Sequence, residues 1–285
     1  MPLAARGHVT DSVSPPTLGA AFTLDPWLLI PLILVVAAYL AGVGRLWAGS
    51  RPGAGIGFGQ AGAFLAGWVV LLLSLAWPLD AYGEWSLAAH MAQHMLLVSV
   101  APPLIVAGLP AAALAAGLST RGARRGGSLL RLRSVRRVWR GLTEPMTAML
   151  LQLIVMWGWH APAAMELALR SEPWHYLMHA SFLVVGLLFW SGLLRALREP
   201  MAGFFTGIVA VVGTMVQMGL LGALLTFAAV PRYPFYYERV TQLGLTPLED
   251  QQLAGLVMWV PGAVPYLLGG LALMAVWLRR LERTA

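Results

Sequence analysis

Charge cuts this chain into apolar lengths, and those lengths constrain the fold more than any other feature. Residues 26–44, 52–79, 85–120, 145–165, 173–194, 200–231 and 251–278 contain no Asp, Glu, Lys or Arg. A helix crosses the hydrocarbon core of a bilayer with about 20 apolar residues, so each stretch is long enough to span. Unpaired backbone groups are not tolerated in lipid, which leaves helices or closed barrels. Barrel strands alternate in pieces of ~10 residues, whereas these runs are continuously apolar. The sequence therefore predicts an all-α fold, a bundle of seven transmembrane helices over residues 26–281. An external tail, residues 1–25, precedes it and is expected to be disordered.

Composition closes off the alternatives. Only 11% of residues are charged and 59% are apolar, against about 25% charged in an ordinary soluble domain, so a water-soluble enzyme is excluded. The chain has no Cys, which removes disulfide scaffolds, thiolate metal sites and cysteine nucleophiles. All 19 basic residues are Arg. Without Lys there is no retinal Schiff base, so a seven-span rhodopsin is excluded as well.

Arginine placement sets the expected orientation, because cytoplasmic segments carry the excess of Lys and Arg. With the N-terminus outside and the C-terminus in the cytoplasm, inner segments hold 15 Arg and three acids, and outer segments hold four Arg and nine acids. The longest polar connection, about residues 121–140, is then cytoplasmic. It carries Arg121, Arg124, Arg125, Arg131, Arg133, Arg136, Arg137 and Arg140 without one acid. Such a run reads either as a topology signal lying on the membrane surface or as a binding face for anionic lipid heads or an acidic partner. Nucleic-acid binding is not expected, since these residues have no folded domain of their own.

The chemistry-bearing residues are the histidines. Apart from His8 in the tail, they are His90, His94, His160, His175 and His179. Imidazoles within membrane spans are rare and face the bundle or a wet cavity. His90/His94 and His175/His179 are i, i+4 pairs, so both rings of a pair share one helical face. One helix supplies two ligands to a metal by that spacing. With the expected topology, all five rings fall at one depth in the outer half of the bilayer. Met91, Met95 and Met178 lie beside them; thioether with imidazole, and few carboxylates, suits copper.

The connection between the last two spans adds two features. Tyr233-Pro-Phe-Tyr-Tyr237 reads as an interfacial aromatic belt. Thr246-Pro-Leu-Glu249 reads as a capping box that starts the seventh helix near Pro247. That places Asp250 level with the histidines, where it orients an imidazole, takes a metal, or compensates the dipole of its own helix. Pro102-Pro103, Pro261 and Pro265 fall inside spans and predict kinks.

The run His90-Met-Ala-Gln-His94-Met-Leu-Leu, followed by Ala101-Pro-Pro-Leu104, resembles a signature of the multi-spanning CtaG family of bacterial cytochrome c oxidase assembly factors. So do Trp157-Gly-Trp-His160-Ala-Pro162, His175-Tyr-Leu-Met-His179, Gly222-Ala-Leu-Leu-Thr-Phe227, Tyr233-Pro-Phe-Tyr-Tyr237, Leu248-Glu-Asp-Gln-Gln252 and Met258-Trp-Val-Pro261. The likeness runs from about residue 27 to 281. It implies a multi-pass protein of the bacterial plasma membrane that matures a haem–copper oxidase at a copper-insertion step. His90, His94, His160, His175, His179 and Asp250 fall on the family's polar motif positions. An unrelated single-span copper chaperone of the same name works through cysteines, which this chain lacks.

The expected function is therefore binding and assembly rather than catalysis. Copper is held at the outer face by three or four of the five histidines, with Met91, Met95 or Met178 assisting Cu(I) and Asp250 an auxiliary or orienting group. Oxidase subunits and an external copper donor are the expected partners. A metal-free scaffold, a bis-histidine haem protein and a permease are the alternatives.

Overall fold

The computed structural model of the protein describes residues 14–22, 25–117, 132–197 and 202–283. Within them the secondary structure is helical throughout. The helices of eight residues or more are α1 (Pro26–Ala48), α2 (Phe58–Leu75), α3 (Leu87–Ala107), α4 (Pro110–Gly117), α5 (Arg133–Leu142), α6 (Pro145–His160), α7 (Pro162–Arg170), α8 (Glu172–Ala196), α9 (Ala202–Thr226) and α10 (Pro247–Glu282). Six are long and apolar enough to cross a membrane: α1, α2, α3, α8, α9 and α10. The bent pair α6–α7 makes a seventh crossing if counted as one.

Proline decides where the expected spans break. The stretch 145–165 is two helices, not one, with a 74° bend between Pro145–His160 and Pro162–Arg170. Ala161 precedes Pro162 and has ψ 130°, since the proline ring pushes its predecessor out of the helical region. Helix α6 therefore ends on His160. The stretch 85–120 likewise ends its crossing at Ala107. Leu109, before Pro110, takes a positive φ of 51°, and the chain folds back as α4 against α1. Tyr39 of α1 fixes that corner by donating its buried hydroxyl to the Gly108 carbonyl at 2.9 Å.

The kink expected at Pro102-Pro103 takes the form of a π-helical turn, Leu96–Val100, in the middle of α3. These prolines cannot bond to the carbonyls of Val98 and Ser99, and their rings crowd them. The Tyr266 hydroxyl of α10 reaches the Val98 carbonyl at 3.4 Å and accepts from Gln152 of α6 at 2.6 Å. α8 closes on the same turn at Gly186, where any Cβ would lie 2.7 Å from the Val98 oxygen. α10 runs as one helix through Pro261 and Pro265. It packs on α9 where Gly222 meets Gly255, a contact between small residues that lets membrane helices approach closely.

Of the segment expected to form a disordered tail, residues 14–22 pack onto the bundle. Trp77 donates to the Leu18 carbonyl and Tyr82 to the Pro16 carbonyl, both at 2.9 Å, and Phe22 stacks on Trp77. Residues 1–13, with His8, lie outside the described residues.

α5 is built differently from the spans. Val135, Val138, Trp139 and Leu142 follow i, i+3, i+4, i+7, and so do Arg133, Arg136, Arg137 and Arg140. At 3.6 residues per turn the two sets form opposite stripes, and all eight residues are exposed.

Candidate metal centre

The five imidazoles meet at one end of the bundle. α3 starts there at Ser86, whose hydroxyl accepts from Ala89 N at 3.2 Å. Asp250, in the first turn of α10, takes the remaining donors. Its carboxylate accepts from the Ser86 hydroxyl at 2.6 Å and from the amides of Leu87 and Ala88 at 2.6 and 3.2 Å. The first amides of any helix lack partners within it, and a carboxylate at that end is favoured by the helix dipole. Asp250 thus caps another helix. Its hydrogen bonds go to Ser86, Leu87 and Ala88 rather than to an imidazole, while its place in the first turn of α10 also sets it at the positive end of its own helix. The capping box of α10 itself forms as expected, with Thr246 and Glu249 bonding reciprocally.

His90 and His94 follow in the next two turns of α3, buried to 1% and 0% exposure. α6 delivers His160 as its last residue. The His160 Nδ1–H donates to the Met156 carbonyl at 2.6 Å, and its own carbonyl accepts from Tyr233 at 2.8 Å. α8 delivers His175 and His179 in its first two turns, both buried.

The rings form a contiguous layer. Centroids are 4.3 Å apart for His90–His94, 5.4 Å for His90–His175, 4.2 Å for His175–His179, 5.4 Å for His94–His179 and 5.8 Å for His94–His160. One ring nitrogen each from His90, His175 and His179 lies within 4.8 Å of the others. A metal bonds imidazole nitrogen at about 2.0–2.1 Å, so two ligating nitrogens stand at most about 4.2 Å apart. Small ring movements bring the three inside that bound. The donor set fits copper or zinc rather than an oxygen-seeking cation. His94 supports a ligand role too: both of its ring nitrogens are buried without a hydrogen-bond partner. An orphaned buried polar group costs roughly 1–3 kcal/mol.

Of the methionines, Met91 reaches the layer, with its Sδ 3.1 Å from His160 Nε2. The sulfur of Met95 packs against Gly262 of α10. Met178 is fully buried in the apolar core. A cleft of about 310 Å³ opens between α1 and α8 and reaches His179, with Asp25, Asp80 and Tyr176 along it.

A cover of aromatic residues closes the layer. Tyr233 and Tyr236, expected in an interfacial belt, are 3% and 2% exposed. Tyr236 donates to the Gly83 carbonyl at 2.9 Å and sets its ring against His90, with centroids 6.5 Å apart. Arg239 lies over Phe235 at 4.2 Å and donates to the Glu84 carbonyl at 3.2 Å. Burial pushes the Tyr233 hydroxyl up to about 12. It pushes Tyr236 well above the ordinary phenol value, helped by the carboxylates of Asp250 and Glu84. Both hydroxyls therefore stay protonated and donate at neutral pH. Sequence reading missed this cover and the Ser86 cap, although a Ser before an apolar helical run was an available signal.

The arginines of the basic run 121–140 are elsewhere. Arg133, Arg136, Arg137 and Arg140 sit on α5, next to the start of α6, and the 16 residues of α6 put about 24 Å between that start and His160. Arg121, Arg124, Arg125 and Arg131 lie outside the described residues.

Fold and site together define a polytopic helical membrane protein with a buried imidazole layer at one end. The chain belongs to the cytochrome c oxidase caa3 assembly factor (Caa3_CtaG) family, whose model matches residues 37–280. It is 27% identical over 281 residues to proteins of Mycobacterium bovis and Mycobacterium tuberculosis, and 26% identical over 285 residues to one of Mycobacterium leprae, all three described as uncharacterized. Each comparison covers 95% of this chain and 42% of the relative, so the chain spans less than half the length of these proteins. No solved structure matches it.

Proposed function

We propose that the protein binds copper in its histidine layer and presents it to a subunit of a haem–copper cytochrome c oxidase during assembly. The observation that carries this reading is the convergence of His90, His175 and His179 from two helices, with ring nitrogens within 4.8 Å of one another. The family supplies the oxidase as the process served. The arginine distribution supports an outward-facing layer, with the N-terminus outside and the cytoplasmic surface carrying α5. Copper then enters from the side where an external donor delivers it. Only metal–ligand bonds are exchanged in such a role and no covalent bond of a substrate is made or broken, so the protein acts as a binding and assembly factor in the plasma membrane.

Neighbouring rings packed at 4.2–5.8 Å favour a compact ion over a haem macrocycle between them. The two stripes of α5 support a helix lying on the membrane surface, apolar side in lipid and arginines among anionic headgroups.

The test is complementation. In cells lacking this protein, the wild-type gene restores oxidase activity and the copper content of the purified oxidase. A His90→Ala/His175→Ala/His179→Ala variant, present in the membrane at wild-type level, restores neither. Full restoration by that variant would leave only a scaffold role.

A further inference from the structure

We infer that the layer contains two copper stations of different softness, the second formed by His160, Met91 and His94. The inference rests on the copper reading and adds to it which oxidation state each part of the layer takes.

The His160–Met91 contact is the starting point. A carbonyl only accepts, so the 2.6 Å bond to the Met156 oxygen places the His160 proton on Nδ1. Nε2 of the neutral ring then carries a lone pair, and it faces Met91 Sδ at 3.1 Å. A thioether has no proton to give. A second proton on the ring would bury an imidazolium, a charge that needs a paired partner in such surroundings. Two lone-pair donors are thus held face to face in a site where both residues are buried, Met91 at 0% and His160 at 4% exposure.

A metal satisfies that geometry. With bonds of about 2.0 Å to nitrogen and about 2.3 Å to sulfur, a 3.1 Å separation corresponds to an angle of about 90° at the ion. Opening that angle to the roughly 110–120° of a three- or four-coordinate ion takes a movement of only about 0.5 Å between the two side chains.

His94 supplies the third ligand and links the stations. Its two ring nitrogens are buried without hydrogen-bond partners. Its centroid lies 5.8 Å from His160 on one side and 4.3 Å from His90 on the other. Thioether with imidazole selects Cu(I), whereas an all-imidazole set takes Cu(II) and Zn(II), Cu(II) the more tightly. The cleft between α1 and α8 reaches His179, so the all-imidazole station faces the entrance. The Met91 station lies beyond His94, under Tyr233.

The test uses the full-length purified chain, titrated anaerobically with Cu(I) against a chromophoric chelator and separately with Zn(II), with X-ray absorption on the Cu(I) form. Wild type shows a sulfur neighbour to copper. Met91→Leu conserves volume; it loses that neighbour and weakens Cu(I) binding by about tenfold or more, with Zn(II) affinity unchanged. His175→Ala/His179→Ala does the reverse, losing Zn(II) and keeping sulfur-ligated Cu(I). If wild type binds both metals but Met91→Leu behaves identically, the second station is refuted and the first stands. If wild type binds neither metal, the copper reading itself is refuted.

Discussion

Asp250 and Ser86 are 164 residues apart in sequence, yet the carboxylate of one accepts the hydroxyl of the other at 2.6 Å. Through this bond the last helix sets the start of the helix that carries His90 and His94. Asp250→Ala strands the Ser86 hydroxyl and the amides of Leu87 and Ala88 in a buried place. Each stranded donor costs roughly 1–3 kcal/mol. Ser86→Ala removes a cap worth about 1 kcal/mol. Thermal unfolding in detergent should therefore rank wild type above Ser86→Ala and Ser86→Ala above Asp250→Ala. Equal midpoints would show that the cap does not hold α3.

The aromatic cover has a defined pH range. The Tyr233 and Tyr236 hydroxyls have raised values in the folded protein, with Tyr233 near 12, against about 10 for a free phenol. A raised phenol contributes stability that is complete below pH 10 and is lost as pH climbs through the folded value. Phenolate absorbance of wild type and of Tyr233→Phe/Tyr236→Phe should thus rise identically up to pH 10. Above it both proteins gain absorbance from the tyrosines they share, and the wild type should gain more, by the two phenolates that form as the cover opens. Ionisation of these two residues below pH 10 would contradict their burial.

What the sequence disclosed was what periodicity and charge encode. The crossings follow from charge-free lengths, and the shared depth of His90, His94, His160, His175 and His179 follows from counting turns from helix ends. Proline effects were legible only in part: Pro102-Pro103 announced a distortion, but its resolution as a π turn depends on Tyr266 and Gly186 from other helices. The break at Ala161 was signalled by Pro162, yet 145–165 is apolar enough to hide it. The partner of Asp250 and the burial of Tyr236 were not legible, because both depend on contacts between distant segments. Among the methionines at ligand spacing, only the packing separates Met91 from Met95.

The surface helix is testable without background labelling, since the chain has no Cys. A spin label at Val138→Cys should be shielded from a water-soluble relaxation agent and reached by oxygen, and a label at Arg137→Cys should show the opposite. In nanodiscs of anionic lipid the contrast should exceed that in zwitterionic lipid, because the four arginines of α5 then find headgroup partners. Equal accessibility at both positions would place α5 in water.

The most direct measurement is the metal content of detergent-purified protein loaded with Cu(II) and passed over a desalting column. Wild type should retain about one copper per chain at the all-imidazole station. His90→Ala/His175→Ala/His179→Ala, folded by circular dichroism, should retain almost none. Equal copper in the two proteins would contradict the account.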